Sequence, residues 1–140
     1  KSLTLEEKYD FVVLLQPTSP LRTVEDIDGC IQQCVIAELP SCVSLTEAKQ
    51  SPYWMYHLDD DMKLKSFVQN DEIMNRRQDL SKVYVLNGAV YVAESRFIIE
   101  HKSFLTEETA GYIMSEEHSM DIDTELDFSF CEWLIKKKNA

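Results

Sequence analysis

The sequence predicts an α/β fold, and three observations predict it. Phe11–Leu15 is an unbroken apolar run of the kind a central parallel strand shows. Ile27, Cys30, Ile31, Cys34 and Val35 then recur at helical spacing. Cys42–Leu45 reads as the next strand. Strand, helix and strand in that order predict a right-handed parallel crossover. The 140 residues suit a single domain, 1–140.

Each element has its own signal. Thr23 precedes Asp26 at capping-box spacing, with Asp where Glu is commoner, so the first helix starts there. Pro40 stops it at about Leu39. Tyr53–Tyr56 and Leu64–Phe67 flank an acidic turn at Asp59–Asp61, which predicts a β-hairpin. Val68–Lys82 is polar, has little periodicity and reads as loop. Strand character resumes around Asn87-Gly88, a pair that usually marks a tight turn. Apolar residues continue on both sides, so a bend bringing backbone close to a ligand is the other reading. Ser95–Lys102 predicts a short helix burying Phe97 and Ile98, and Gly111–Met114 a short strand. A last helix starts near Thr124, with Leu126, Phe130, Trp133 and Leu134 as its apolar stripe. Glu125 and Asp127 in its first turn and Lys136–Lys138 in its last suit the helix dipole.

Composition excludes several classes of function. A net charge of −11 repels polymeric nucleic acid and anionic lipid, although a local arginine cluster can still bind a small phosphate. No apolar run approaches the ~20 residues a bilayer requires. No G-x-G-x-x-G or P-loop motif occurs, so the chain holds no phosphate-cradling glycine loop. Cys30, Cys34, Cys42 and Cys131 form no C-x-x-C pair and read as small reduced hydrophobes. With no secretory leader read at the start, the expectation is a cytoplasmic protein.

Three constellations can carry chemistry. In Gln16-Pro17-Thr18-Ser19-Pro20-Leu21-Arg22 the prolines fix the backbone, leaving Gln16, Thr18, Ser19 and Arg22 as pre-oriented donors and acceptors. Such a cluster at the end of a strand is where open α/β sheets place ligands, though a rigid connection would look the same. Arg76-Arg77 offers one guanidinium to a phosphate or carboxylate, but most arginines of an acidic protein form surface ion pairs. Asp121 and Asp123 flank Ile122, so in an extended segment both carboxylates point one way and suit a hard divalent ion such as Mg2+. The competing reading is that Asp123 caps the following helix. His57, His101 and His118 show no ligand spacing and read as surface or structural residues.

The order of these pieces is more specific than any one of them. LLQPTSPLR, CVSLTEA, SPYWMY, RRQDL with VYVLNGAVYV, and DIDTELDF together resemble the acylneuraminate cytidylyltransferases from about Phe11 to Trp133. Enzymes that activate 3-deoxy-manno-octulosonate carry Gly-Asp-Glu-Pro in place of Pro-Thr-Ser-Pro, which disfavours them. The resemblance implies a three-layer, Rossmann-like nucleotide-sugar transferase sheet with a β-hairpin-containing dimerisation insertion, roughly residues 52–79, hence a homodimer. It implies transfer of CMP from CTP to a nonulosonic, sialic-acid-like sugar with release of pyrophosphate, supported by Mg2+. Carried over by motif, Gln16 and Asn87 contact the sugar, and Thr18, Ser19 and Arg22 shape the cleft wall. Arg77 and the Asn87-Gly88 backbone contact substrate, and Asp121 and Asp123 hold the metal.

Two departures bear on this. The family often has an arginine two residues before Asn-Gly, where this chain has Val85. That leaves room for a legionaminate-type sugar in place of N-acetylneuraminate. Family members also begin with a strand and a loop resembling Ile-x-Ala-Arg-x-Gly-Ser-Lys, followed by Lys-Asn, and none occurs here. The expectation is the C-terminal two-thirds of such an enzyme, with its sheet incomplete at the N-terminus and inactive alone. The alternatives are a non-catalytic dimerisation or sugar-binding module lacking the nucleotide loop, and a two-aspartate metal-binding domain of unrelated purpose.

Overall fold

The structure is a computed structural model describing residues 9–68 and 82–138. In chain order the elements are β1 (Phe11–Leu15), α1 (Val24–Ile36), β2 (Ser41–Glu47), β3 (Tyr56–Leu58), β4 (Leu64–Ser66), β5 (Tyr84–Glu94), α2 (Ser95–His101), β6 (Thr109–Ile113) and α3 (Glu125–Lys138). They fall into two compact units, one of residues 47–85 and one of the remaining chain.

The larger unit is an α/β fold on a mixed four-stranded sheet, ordered β1-β5-β2-β6. β2 and β6 run parallel, with Ser41 opposite Thr109 and Leu45 opposite Ile113. β1 and β5 run antiparallel, with Phe11 opposite Glu94 and Leu15 opposite Val90. The predicted capping box forms: Thr23 Oγ1 accepts the Asp26 N–H, and Asp26 Oδ2 accepts the Thr23 N–H. α1 ends at Ile36, short of the expected Leu39, because Glu38 turns left-handed at φ 53° ahead of Pro40.

α1 packs on the sheet through small side chains. Cys30, Cys34, Cys42, Ala89, Val90, Val92, Ala110 and Met114 form the core, with Ile27, Ile31, Leu39 and Tyr112 half-buried around it. All four cysteines are free and buried, as their reading as small hydrophobes anticipates. Cys30 donates to Cys42 across 3.6 Å, which with burial pushes the Cys30 thiol well above the ordinary range. Close approach of helix and sheet also explains Gly29, where a Cβ would stand 2.5 Å from the Tyr112 ring.

Two elements differ from expectation. β1 has an antiparallel and not a parallel neighbour: it pairs with β5 at the end of the described sheet, and Phe11, Val13, Leu14 and Leu15 are all at least 36% exposed. An apolar run reports side-chain character and not partner order, so it cannot distinguish these cases. On α3 the inward line is Cys131 with half-buried Asp127 and Leu134, while Leu126, Phe130 and Trp133 are exposed. The inward face is therefore set one residue round from the predicted stripe. Among the described residues no helix is long and apolar enough to cross a membrane.

The smaller unit holds the hairpin β3–β4, with Tyr56 opposite Ser66 and Leu58 opposite Leu64. Its turn is set by Asp59, whose Oδ1 accepts the Asp61 and Lys63 N–H groups at 3.1 and 2.9 Å. The first strand begins at Tyr56 and not Tyr53, because Ser51 caps a 3-10 turn at Pro52–Trp54. Trp54, Tyr56 and Phe67 are exposed.

Candidate functional site

The proline-stiffened loop leaves the end of β1 and is folded onto β5 by Arg22. One nitrogen, Nη1, donates to the Gln16 carbonyl at 2.9 Å and to the Ala89 carbonyl at 2.7 Å. The guanidinium thus ties both ends of the loop to the strand beside it. Ser19 is 1% exposed, and its Oγ has no hydrogen-bond partner among the described residues.

Asn87-Gly88 is a bend inside one continuous strand, not a hairpin turn. Gly88 takes φ +73°, a conformation costly for any residue with a Cβ. The Gln16 amide lies beside it: a Cβ at Gly88 would stand 3.8 Å from Gln16 Oε1. Asn87 is buried and fully engaged. Its Oδ1 accepts from Ser44 Oγ at 2.6 Å and from the Ala89 N–H at 3.1 Å. Its Nδ2 donates to Ser119 Oγ at 2.9 Å and to Met114 Sδ at 3.3 Å. Asn87 therefore joins β2, β5 and the turn after β6.

The aspartate segment reaches the same place. The Ile122 N–H donates to the Thr18 carbonyl at 2.9 Å, setting Asp121-Ile122-Asp123 along the proline loop. The cap of α3 is Thr124 and not Asp123. Asp127 Oδ2 accepts the Thr124 hydroxyl at 2.7 Å and its N–H at 2.8 Å, while Thr124 Oγ1 accepts the Asp127 N–H at 3.3 Å. Those bonds, the Thr124 hydroxyl first, hold the Asp127 carboxyl below the usual range. The Asp123 carboxylate is left exposed, and Asp121 Oδ1 is buried with no hydrogen-bond partner. A buried, unpartnered carboxylate oxygen is costly unless something binds it, and a hard cation is the natural occupant. Among the described residues no cluster of three or more His, Cys, Asp or Glu side chains could hold a metal.

The structure thus brings Gln16, Thr18, Ser19, Arg22, Asn87, Gly88 and the Asp121–Asp123 segment to one locality. Arg77 lies outside the described residues. Sequence reasoning passed over Ser44 and Ser119, which orient Asn87, and the pairing of His118 Nδ1 with Asp26 Oδ2 at 2.9 Å. The Asp in place of Glu at the capping-box position was the one local trace of that pair.

No protein-family model matches the chain. Curated relatives do. The chain is 35% identical over 139 residues to an N-acylneuraminate cytidylyltransferase of Streptococcus agalactiae, covering 95% of this chain and 33% of that one. It is 34% identical over 131 residues to a CMP-N,N'-diacetyllegionaminic acid synthase of Legionella pneumophila, covering 91% of this chain and 55% of that one. It is 29% identical over 133 residues to a post-translational flagellin modification protein B of Campylobacter coli, covering 94% and 55%. The chain therefore spans between a third and about half the length of these relatives.

Proposed function

Because this chain belongs to the acylneuraminate cytidylyltransferase family, we propose that the protein that carries it is a nucleotidyltransferase joining CTP and a nonulosonic sugar to give CMP-sugar and pyrophosphate. The observation that carries the reading is the meeting of the proline loop, the Gly88 bend and the aspartate segment, with Asp121 Oδ1 buried and unpartnered. In this reading the sheet is part of a three-layer, Rossmann-like nucleotide-sugar transferase fold. The dimerisation insertion is roughly residues 52–79, of which 69–79 lie outside the described residues, and the protein is a cytoplasmic homodimer. Exposed Trp54, Tyr56 and Phe67 suit such an interface, whose core favours aromatic side chains.

Gln16 faces the sugar from the end of β1, with the Gly88 backbone beside it and Thr18 and Ser19 forming the wall. Arg22 keeps the loop on β5, and Asn87 holds the bend from behind. Arg77 contacts substrate. Asp121 and Asp123 would hold Mg2+, which would supply charge neutralisation at the phosphates. The site's contribution is to orient the sugar hydroxyl for attack on the α-phosphate, since such catalysis is mostly positioning and electrostatics. Val85, in place of an arginine, leaves room for a legionaminate-type sugar in place of N-acetylneuraminate. With no phosphate-cradling glycine loop among its 140 residues, the chain by itself does not turn over CTP.

The test is to supply the complete encoded protein with CTP, Mg2+ and either N-acetylneuraminate or diacetyllegionaminate, and to measure CMP-sugar and pyrophosphate. Asp121→Asn and Asp123→Asn each lower turnover by about 100-fold or more while the protein stays folded. Wild-type turnover absent with every nonulosonic acid, or unchanged in both variants, overturns the assignment.

A further inference from the structure

Asp26 does more than close a capping box. Its Oδ2 accepts the Thr23 N–H at 2.9 Å and the Thr23 hydroxyl at 2.8 Å, and it pairs with His118 Nδ1 at 2.9 Å. The Asp26 side chain is 8% exposed and that of His118 27%, so the contact lies largely out of solvent. A helix start needs only the threonine partner. The histidine comes from the turn 115–119, which follows β6 and leads directly into Asp121.

That turn is closed on itself. The His118 N–H donates to Ser115 Oγ at 3.2 Å, the Ser119 N–H to the Ser115 carbonyl at 3.1 Å, and Ser119 Oγ to the same carbonyl at 2.6 Å. It is also anchored on three sides. Ser119 Oγ receives Asn87 Nδ2 from β5, Glu117 pairs with Lys138 of α3 at 2.7 Å, and His118 reaches Asp26 of α1. The Glu117–Lys138 pair is exposed and weak. Asn87 and Asp26 are the buried anchors. From Ser119 only Met120 intervenes before Asp121, whose next neighbour Ile122 is tied to Thr18. The place of the Asp121 carboxylate is therefore set from behind by the turn and from in front by the loop.

We propose that His118 is a positioning residue for the aspartate site: held on Asp26, it fixes the turn 115–119 and through it the Asp121 carboxylate. The inference rests on the reading of Asp121 as a metal-holding residue. Direct binding of Mn2+, followed by its electron paramagnetic resonance signal in the complete encoded protein, tests it without reliance on turnover. His118→Ala weakens Mn2+ binding by about 10-fold, the size of effect seen when an outer-shell partner is lost. His118→Asn, whose amide nitrogen falls near the place of Nδ1, restores it to within about 3-fold of wild type. If His118→Ala does not fold, His118→Phe, which keeps a ring without the donor, takes its place in the comparison. A purely structural role lowers the melting temperature of the folded variant and leaves Mn2+ affinity unchanged, and that result overturns the proposal. So does a His118→Asn variant as weak as the donor-free one. Failure of the wild type to bind Mn2+ overturns it too. Failure to form CMP-sugar, with Mn2+ binding and its His118 dependence intact, overturns only the proposed reaction.

Discussion

Replacing Arg22 by methionine keeps an apolar stem of similar girth and removes one nitrogen that serves two carbonyls. Gln16 O and Ala89 O, at 2.9 and 2.7 Å from Nη1, lose a charged donor together. A hydrogen bond to a charged group contributes about 1.5–3 kcal/mol. Two such bonds give an upper figure near 6 kcal/mol, which half-burial and water at the loop reduce to about 3 kcal/mol. Arg22→Lys retains the charge on a shorter stem that can satisfy one carbonyl, so its loss is about half as large. Urea unfolding followed by tryptophan fluorescence measures both, with the slope of the transition unchanged because the surface exposed on unfolding is the same. The order is wild type, Lys, Met. A methionine variant within about 1 kcal/mol of wild type would mean that the guanidinium does not clamp the loop. A substrate role for Arg22 would then be the better account, visible as a raised KM at unchanged stability.

Three further outcomes follow from single features. Gly29→Ala sets a helix-propensity gain of about 1 kcal/mol against a Cβ placed 2.5 Å from the Tyr112 ring. The ring cannot yield as a flexible chain end does, so calorimetry finds a net loss of about 1–2 kcal/mol. Gly88→Ala meets nothing closer than 3.8 Å, yet loses about 1–2 kcal/mol from its positive φ alone, and Gly88→Asn loses less because Asn tolerates that region. Burial holds the Cys34 thiol up at about 11 from an ordinary 9.0. The folded state keeps a proton there that the unfolded chain releases. Its stabilisation is full below pH 9 and is lost as pH rises through 11, by at most about 1.4 kcal/mol per pH unit. Melting temperatures from pH 8 to 11 fall steeply in wild type and less steeply in Cys34→Ala; equal slopes would sink the thiol explanation.

Features local in sequence were legible, and those made by distant partners were not. The Thr23–Asp26 box spans four residues and forms as read. The stiffness of Gln16–Arg22 comes from its own prolines. That Arg22 turns inward to the Ala89 carbonyl depends on a strand 67 residues away, which no spacing reports. The insertion of β5 between β1 and β2, antiparallel to β1, is likewise non-local, and an apolar run does not report it.

The aspartate segment shows the same division within one motif. Alternation of Asp121 and Asp123 across Ile122 suggested paired carboxylates, and helix-start chemistry offered a cap as the rival account. Both readings used true signals. The rivalry ends only when Thr124 and Asp127 are seen to close the cap between themselves, which leaves the Asp123 carboxylate out of it. Asp121 could not be separated from Asp123 by pattern, yet one keeps a buried oxygen without a partner and the other is open to solvent. If a single cation serves both, the two positions are unequal. Asp121, held by the turn and the proline loop, would then set where the metal sits, whereas Asp123 would be free to adjust to the phosphates. Asp123→Glu should therefore retain measurable turnover where Asp121→Glu, which must lengthen inside a fixed frame, does not; equal losses in the two variants would show that the buried oxygen confers no such asymmetry.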